Sequence, residues 1–240
     1  TENELIDHVV VNGCSFTQGM QGETWANHLN IPNVLNLASH GAGNNYICHS
    51  TLNYLESHDY KSSNTLVVVM WSGTSRIDVP VSSEWYSHIR QTFPFGFSDH
   101  TSNWIHTGGS GHVALFENLC KTHDNTSQCV ESLQNFILLE SYLQAKGYHY
   151  IFTSYANYWS EDHEYCSTTL VDPNIGYHCK HLPLYKKFNF KKWLFCNSNK
   201  DCFGEFAIDD LRHGPGSHPS EQTHKQFAKE FLLPAVEKLL

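Results

Sequence analysis

The feature that most constrains the fold is a short apolar strand that ends abruptly near the N-terminus. Residues 9–11 are three successive valines, and Asn12 and Gly13 close the run with a turn signal. Ser15 follows directly after the predicted strand end. In an open α/β sheet, ligands bind in the crevice beyond the carboxyl ends of the strands, so the Ser15 hydroxyl is well placed for chemistry. The alternative role for this serine is to cap the helix that follows.

Further apolar runs alternate with segments of helical periodicity, which predicts an α/β fold that begins with a β-α-β unit. The strongest of these runs, residues 66–71, is continuous and is typical of a central parallel strand. The other predicted strands cover residues 34–38, 148–153 and 193–196, and the predicted helices cover residues 23–30, 114–123 and 127–146, a segment after Asn44, and the C-terminal segment around Phe227 and Phe231.

Residues 13–19 read Gly-Cys-Ser-Phe-Thr-Gln-Gly. This stretch resembles the first sequence block of the SGNH (GDSL-type) hydrolase superfamily, Gly-Asp-Ser-x-(Ser/Thr)-x-Gly, with Cys14 in the place of the Asp. The resemblance implies a three-layer α/β/α sandwich with a short, mostly parallel, flavodoxin-like sheet. It also implies that Ser15 is the nucleophile and contributes to the oxyanion hole.

A second match lies after the second predicted strand. In the superfamily, a glycine five residues after an Asn donates its backbone N–H to the oxyanion hole, and Asn36 and Gly41 have this spacing. Preorganised donors must face the position where the oxyanion develops, and glycine lets the backbone approach closely. The alternative is a glycine that serves only the geometry of the turn.

The third block departs from the superfamily pattern. Where Gly-x-Asn-Asp is expected after the central strand, residues 71–76 read Trp-Ser-Gly-Thr-Ser-Arg. This resembles a variant found among phage and marine-microbial members. On this interpretation Asn44 or the Ser72 hydroxyl replaces the missing oxyanion donor, and Ser72 and Arg76 lie at the substrate. A structural ion pair is the alternative role for Arg76.

A C-terminal loop histidine completes the resemblance. His218-Pro219, followed by an amphipathic helix, resembles the fifth block, Asp-x-x-His-Pro, which implies that His218 is the general base for Ser15. The position three residues before His218 is Pro215, so the usual acid is missing. Asp210 is the candidate that would orient the imidazole, and a Ser-His dyad oriented by a backbone carbonyl is the alternative.

Composition limits the class of partner and cofactor. The 240 residues carry a net charge of −9, which argues against a nucleic-acid backbone or an anionic membrane as partner. The 17 histidines and eight cysteines show no repeated metal-ligand spacing, so neither metal nor cofactor is expected. The thiols are expected to be reduced, although Cys120/Cys129, Cys166/Cys179 and Cys196/Cys202 could pair outside the cell.

The length predicts one domain, residues 1–240, with an aromatic-rich insertion at about 77–113 that folds over the crevice. The N-terminus lacks the pattern of a signal peptide, and we expect a soluble protein that is cytoplasmic or virion-associated. The resulting prediction is a serine esterase that acts on a small-molecule or glycan ester, such as an O-acetyl group on a carbohydrate. A non-catalytic glycan-binding or virion-associated module is the main alternative, and metal-dependent hydrolysis ranks last.

Overall fold

The computed structural model describes residues 6–19, 22–85, 87, 104–106, 124–155, 157, 180–198, 200–213 and 218–239. The first half contains β1 (His8–Asn12), α1 (Ser15–Gln18), a 3₁₀ turn (Trp25–His28), β2 (Asn33–Asn36), α2 (Asn44–Ser57), a 3₁₀ turn (Ser62–Asn64), β3 (Thr65–Trp71), β4 (Asp78–Pro80) and β5 (Trp104–His106). The second half contains α3 (Asn125–Lys146), β6 (His149–Ser154), 3₁₀ turns at Pro183–Lys187 and Phe190–Lys192, α4 (Phe203–Phe206), α5 (Ile208–His213), α6 (Glu221–Phe227), a π-helical turn (Ala228–Leu232) and α7 (Leu233–Glu237).

The central sheet has the order β2-β1-β3-β6, and all of its described strand pairs are parallel. β1 lies between β2 and β3, with His8 in register with Asn33 on one side and Thr65 on the other. This order is the flavodoxin-like arrangement, in which the strand order reverses beside β1 and opens a crevice at its carboxyl end. The predicted α/β class with a mostly parallel sheet is confirmed.

The core explains why β3 carries an uninterrupted apolar run. All seven residues of β3 are buried, because helices cover the strand on both sides. Trp71 at its end packs against Phe136 of α3, with ring centroids 4.5 Å apart. α2 also packs against α3, while α6 packs against the turn Trp25–His28. The sheet edge that carries Ser15 is therefore built on the best-packed part of the described chain.

Two predicted elements are much shorter than expected. The helix predicted at 23–30 is a single 3₁₀ turn, since Thr24 and Asn27 close a capping box around it and Asn30 then adopts a left-handed conformation with φ of 56°. The fifth strand, predicted at 193–196, is one parallel bridge from Trp193 to Phe152. The Leu194 N–H still donates to the Phe152 carbonyl oxygen at 2.7 Å, but the pairing ends there, and the Cys196 N–H donates to the carbonyl oxygen of Asp201 instead.

The predicted insertion is visible only in part. β4 and β5 pair antiparallel and form a small second sheet, while residues 88–103 and 107–113 and the helix predicted at 114–123 lie outside the described residues. The single-domain organisation stays a prediction.

Cys196 and Cys202 are both reduced thiols, so they do not form the disulfide considered for an extracellular protein. No helix among the described residues is long and apolar enough to cross a membrane.

Gly13, between β1 and α1, offers a stability prediction. A Cβ at this position would lie 2.9 Å from the Met70 carbonyl oxygen and would overlap the Thr17 hydroxyl. We therefore expect Gly13→Ala to lower the free energy of unfolding by about 2 kcal/mol, the usual cost of overpacking. Urea denaturation followed by circular dichroism measures this change, and an unaltered midpoint would show that the turn has room for a methyl group.

Candidate active site

Asn12 anchors the end of β1 from which the candidate nucleophile projects. Its side-chain amide donates to the Ile47 carbonyl oxygen at 3.1 Å and to Thr51 Oγ1 at 2.9 Å, both on α2. Its Oδ1 accepts a hydrogen bond from the Gly13 N–H at 2.8 Å. The last residue of the strand is thus locked to the neighbouring helix, and α1 begins at Ser15 in a fixed position.

The structure brings Ser15 and His218 together from positions 203 residues apart in the chain. The Ser15 hydroxyl lies 2.9 Å from Nε2 of His218, within hydrogen-bond distance. The Phe16 ring stands edge-on to the imidazole, with centroids 5.3 Å apart, and Ser15 itself is only 4% exposed. The pair has the separation and partial burial that a serine nucleophile and its general base require.

The loop that carries Gly41 is fastened to the same strand end. Asn36 donates from Nδ2 to the Thr17 carbonyl oxygen at 2.7 Å and accepts from the Ala38 N–H at 3.0 Å. The Ser39 N–H donates to the Gly13 carbonyl oxygen at 3.2 Å. Gly41 has a φ of 75°, a left-handed conformation that favours glycine. We call residues 39–43 the glycine loop.

Five backbone N–H groups of this region, those of Cys14, Ser15, Phe16, His40 and Gly41, donate no hydrogen bond within the described part of the chain. That of Ser15 opens α1, so the helix itself offers it no acceptor. Two of these five amides, those of Ser15 and Gly41, are the ones that the superfamily resemblance assigns to the oxyanion hole, and their roles stay predictions.

A second imidazole, that of His40, faces the pair. Its ring centroid lies 6.3 Å from that of His218, and it precedes Gly41 in the glycine loop. Burial lowers the pKa of His40, and the nearby His218, Arg76 and His106 lower it further. His40 is therefore held in its neutral form beside the candidate base, which limits the positive charge that accumulates there.

The Asn44 side chain is hydrogen-bonded to two neighbouring elements. Its Nδ2 donates to Ser132 Oγ on α3 at 3.0 Å, and its Oδ1 accepts from the Ser72 N–H at 2.8 Å. The amide is thus engaged in joining α2, α3 and the end of β3. Ser72 is fully buried, with an exposed fraction of 0%, which does not agree with its predicted contact with substrate. The predicted role of Asn44 as an oxyanion donor stays a prediction.

Arg76 lies next to the glycine loop. Its guanidinium donates to the Ala42 carbonyl oxygen at 3.1 Å and lies over the Tyr155 ring, 5.3 Å from the centroid. Arg76 therefore contacts the glycine loop directly. Its contact with substrate stays a prediction.

Asp210 does not orient His218. Its Oδ2 accepts hydrogen bonds from the Ser220 N–H at 2.7 Å and from Thr223 Oγ1 at 2.5 Å. Burial raises the pKa of this carboxyl group, but these hydrogen bonds and the nearby His224 outweigh it and lower the pKa overall. Asp210 therefore fixes the N-terminus of α6, the helix that begins just after His218, and acts on the geometry of the loop instead of the imidazole.

His224 forms part of the wall of the cleft beside the pair. The cleft has a volume of about 10 Å³ and is lined by nine residues: Ser15, Gly19, Gly22, Glu23, Thr24, His218, Pro219, Glu221 and His224. Burial lowers the pKa of His224 to about 4, assisted by His28 and His218 and opposed by Asp210. The sequence carried no signal for this environment, since histidines occur throughout the chain. Among the described residues, no group of three His, Cys, Asp or Glu side chains is arranged to hold a metal ion.

Comparison with solved structures supports the fold. The lipase Lip_vut3 from a goat rumen metagenome is 10% identical, with a TM-score of 0.51 over 95% of this chain and 96% of that one. A member of the lipolytic protein G-D-S-L family from Veillonella parvula is 13% identical, with a TM-score of 0.46 over 92% and 94% of the two chains. At these identities the likeness concerns the fold alone.

No curated protein matches the chain. One family model does match, over residues 17–180, a range that includes the glycine loop and β4 but neither Ser15 nor His218. The chain therefore belongs to DUF6071, a family of unknown function.

Proposed function

We propose that this protein is a serine hydrolase that cleaves carboxylic esters, with Ser15 as nucleophile and His218 as general base. The observation that carries the proposal is the 2.9 Å separation of Ser15 Oγ and His218 Nε2 at the carboxyl end of β1. A serine hydroxyl is a weak nucleophile until a base accepts its proton, and this geometry provides that base. The fold shared with a lipase adds support at the level of architecture.

The reaction follows from the two side chains and two amides. Ser15 Oγ attacks the carbonyl carbon while Nε2 of His218 accepts the hydroxyl proton, and the carbonyl oxygen becomes an oxyanion. The N–H groups of Ser15 and Gly41 stabilise this oxyanion. The tetrahedral intermediate collapses as His218 returns the proton to the departing alcohol. His218 then deprotonates a water molecule, which attacks the carbonyl carbon of the acyl-serine. As the Oγ–acyl bond breaks and the acid leaves, His218 returns this proton to Ser15 Oγ and the free hydroxyl is restored.

We propose an O-acetyl group on a carbohydrate as the substrate class. Trp85, which follows β4 in the chain, is 58% exposed, and an exposed indole can stack on a sugar ring. Arg76 lies beside the glycine loop, and a guanidinium group is suited to binding the hydroxyl or carboxylate groups of a glycan.

Two measurements on the wild-type protein test the proposal. We expect turnover of p-nitrophenyl acetate above spontaneous hydrolysis, and we expect a fluorophosphonate probe to modify Ser15, as located by peptide mass spectrometry. Acetylated xylan, with released acetate quantified, tests the carbohydrate ester. If the protein binds glycans but neither hydrolyses the ester nor reacts with the fluorophosphonate, it is the non-catalytic glycan-binding module instead.

A further inference from the structure

Asp78 is a buried carboxylate that no catalytic role accounts for. It lies on β4, and its side chain is 0% exposed, an unusual position for a charged group unless its oxygens are fully engaged. Oδ1 accepts hydrogen bonds from the Gly43 N–H and from His106 Nδ1, each at 2.8 Å, and Oδ2 accepts from the Tyr46 N–H at 2.8 Å. Three donors thus converge on one carboxylate.

Two of these donors belong to the N-terminus of α2. The N-cap residue of this 14-residue helix is Gly43, which has no side chain to accept hydrogen bonds from the first-turn amides. Asp78 provides the missing acceptor from another element, and its negative charge lies at the favourable end of the helix dipole. A Cβ at Gly43 would lie 2.8 Å from both Asp78 Oδ2 and the Arg76 carbonyl oxygen, so a glycine is required for this approach.

The same contacts determine where the glycine loop lies. Gly43 is the last residue of the loop, and the Arg76 guanidinium holds the Ala42 carbonyl oxygen at 3.1 Å. Gly41 therefore precedes two residues whose backbone groups are tied to residues 76–78. On the other side, the Ser39 N–H is tied to the Gly13 carbonyl oxygen. The Gly41 amide therefore lies between the contact of Ser39 with Gly13 and the contacts of Ala42 and Gly43 with residues 76–78. Asp78 fixes the side of the loop that leads into α2.

His106 holds the carboxylate in turn. It is the cross-strand partner of Asp78 in the β4–β5 pair, and it is 3% exposed. Donation from Nδ1 to Oδ1 fixes the rotamer of Asp78, and the imidazole edge packs on the Tyr46 ring at a centroid distance of 4.8 Å. The small β4–β5 sheet thus holds the Asp78 carboxylate at the N-terminus of α2.

We propose that Asp78, fixed by His106, is a positioning residue that sets the Gly41 amide of the glycine loop for oxyanion stabilisation. The inference rests on the proposed function, because it assigns a task to the Gly41 N–H. It adds a part of the machinery that lies outside the superfamily's sequence blocks. An error of about 1 Å in a catalytic group costs up to about 10²-fold in rate, so a loosened loop should be visible in kcat.

The test compares two conservative variants. Asp78→Asn keeps the shape but presents an N–H₂ group to one of the backbone donors, and we expect kcat for p-nitrophenyl acetate to fall about 10- to 100-fold with KM within about twofold. That split follows because the oxyanion contact is realised in the transition state. Asp124→Asn is the matched control: Asp124 caps a different helix, α3, by accepting from the Ser127 N–H at 2.7 Å.

A second pair of variants keeps the test decisive if Asp78→Asn does not fold. His106→Leu removes the donor to Asp78, whereas His106→Asn places an amide nitrogen near the position of Nδ1. We expect kcat to fall about tenfold in His106→Leu and to recover to within about threefold of wild type in His106→Asn. Because a general loss of stability does not restore kcat selectively, the recovery separates positioning from a purely structural role.

The outcomes also separate this inference from the proposed function. Wild-type protein that neither hydrolyses the ester nor reacts with the fluorophosphonate refutes the proposed function itself. Active wild type with unchanged kcat in folded Asp78→Asn or His106→Leu overturns the positioning role alone. An equal loss of kcat in Asp124→Asn, or a loss confined to KM, would overturn it as well.

Discussion

Replacing Ser15 with alanine is expected to lower kcat/KM for p-nitrophenyl acetate by about 10³-fold or more, to near spontaneous hydrolysis. The hydroxyl is the only group of the described site that is both at the end of β1 and within 2.9 Å of an imidazole nitrogen. Its removal deletes the atom that forms the acyl-enzyme, so no positioning by the remaining residues can compensate.

We expect the losses of kcat/KM in Ser15→Ala and His218→Ala to be non-additive. His218→Ala should cost a comparable factor, and the double variant should be about as slow as either single variant, since nucleophile and base act as one unit. Additive losses would indicate that the two side chains act separately.

Thermal unfolding tests whether a loss of activity in Ser15→Ala reflects a loss of folded protein. Ser15→Ala removes one hydroxyl and its hydrogen bond to His218, so we expect a thermal midpoint close to that of the wild type. Ser62→Ala, a half-buried serine at the opposite end of the sheet, is the matched control and should retain full activity. Full activity in folded Ser15→Ala would remove Ser15 from the mechanism.

The positions of Ser15 and Gly41 were predictable from the sequence because a parallel sheet imposes a simple rule. Ser15 and Gly41 each follow a strand by a few residues, and the carboxyl ends of neighbouring parallel strands open on one crevice. His218 lies far away in sequence, and only the resemblance to a known block suggested its proximity to Ser15. The structure brings all three to one edge of the sheet, as that resemblance implies.

Side-chain partners could not be read in the same way. Asn44 and Asp210 are polar residues at helix ends near the site, so their positions agree with the predicted roles, but each is occupied by backbone and hydroxyl groups from other elements. Which donor and acceptor groups a polar side chain meets is decided by tertiary packing, which the local sequence does not show. The Asp78–His106 pair was missed for the converse reason, since nothing local marks two residues that meet through an antiparallel register 28 residues apart.

Lowering the pH is expected to destabilise the protein through His224. Burial lowers the pKa of this imidazole to about 4 in the folded state, below the value of about 6.5 in an unfolded chain. The unfolded state therefore binds more protons between these values, and stability falls as the pH falls from about 6.5 to about 4. The shift corresponds to about 3 kcal/mol, fully present above pH 6.5 and lost near pH 4.

The variant His224→Leu isolates this contribution. Leucine fills the site against the Phe203 ring, which lies 4.9 Å from the imidazole, and has no proton to gain. We expect the free energy of unfolding, measured in urea at pH 7, 6, 5 and 4.5, to decline less steeply in the variant than in the wild type. Parallel slopes for wild type and His224→Leu would show that folding does not lower the pKa of His224.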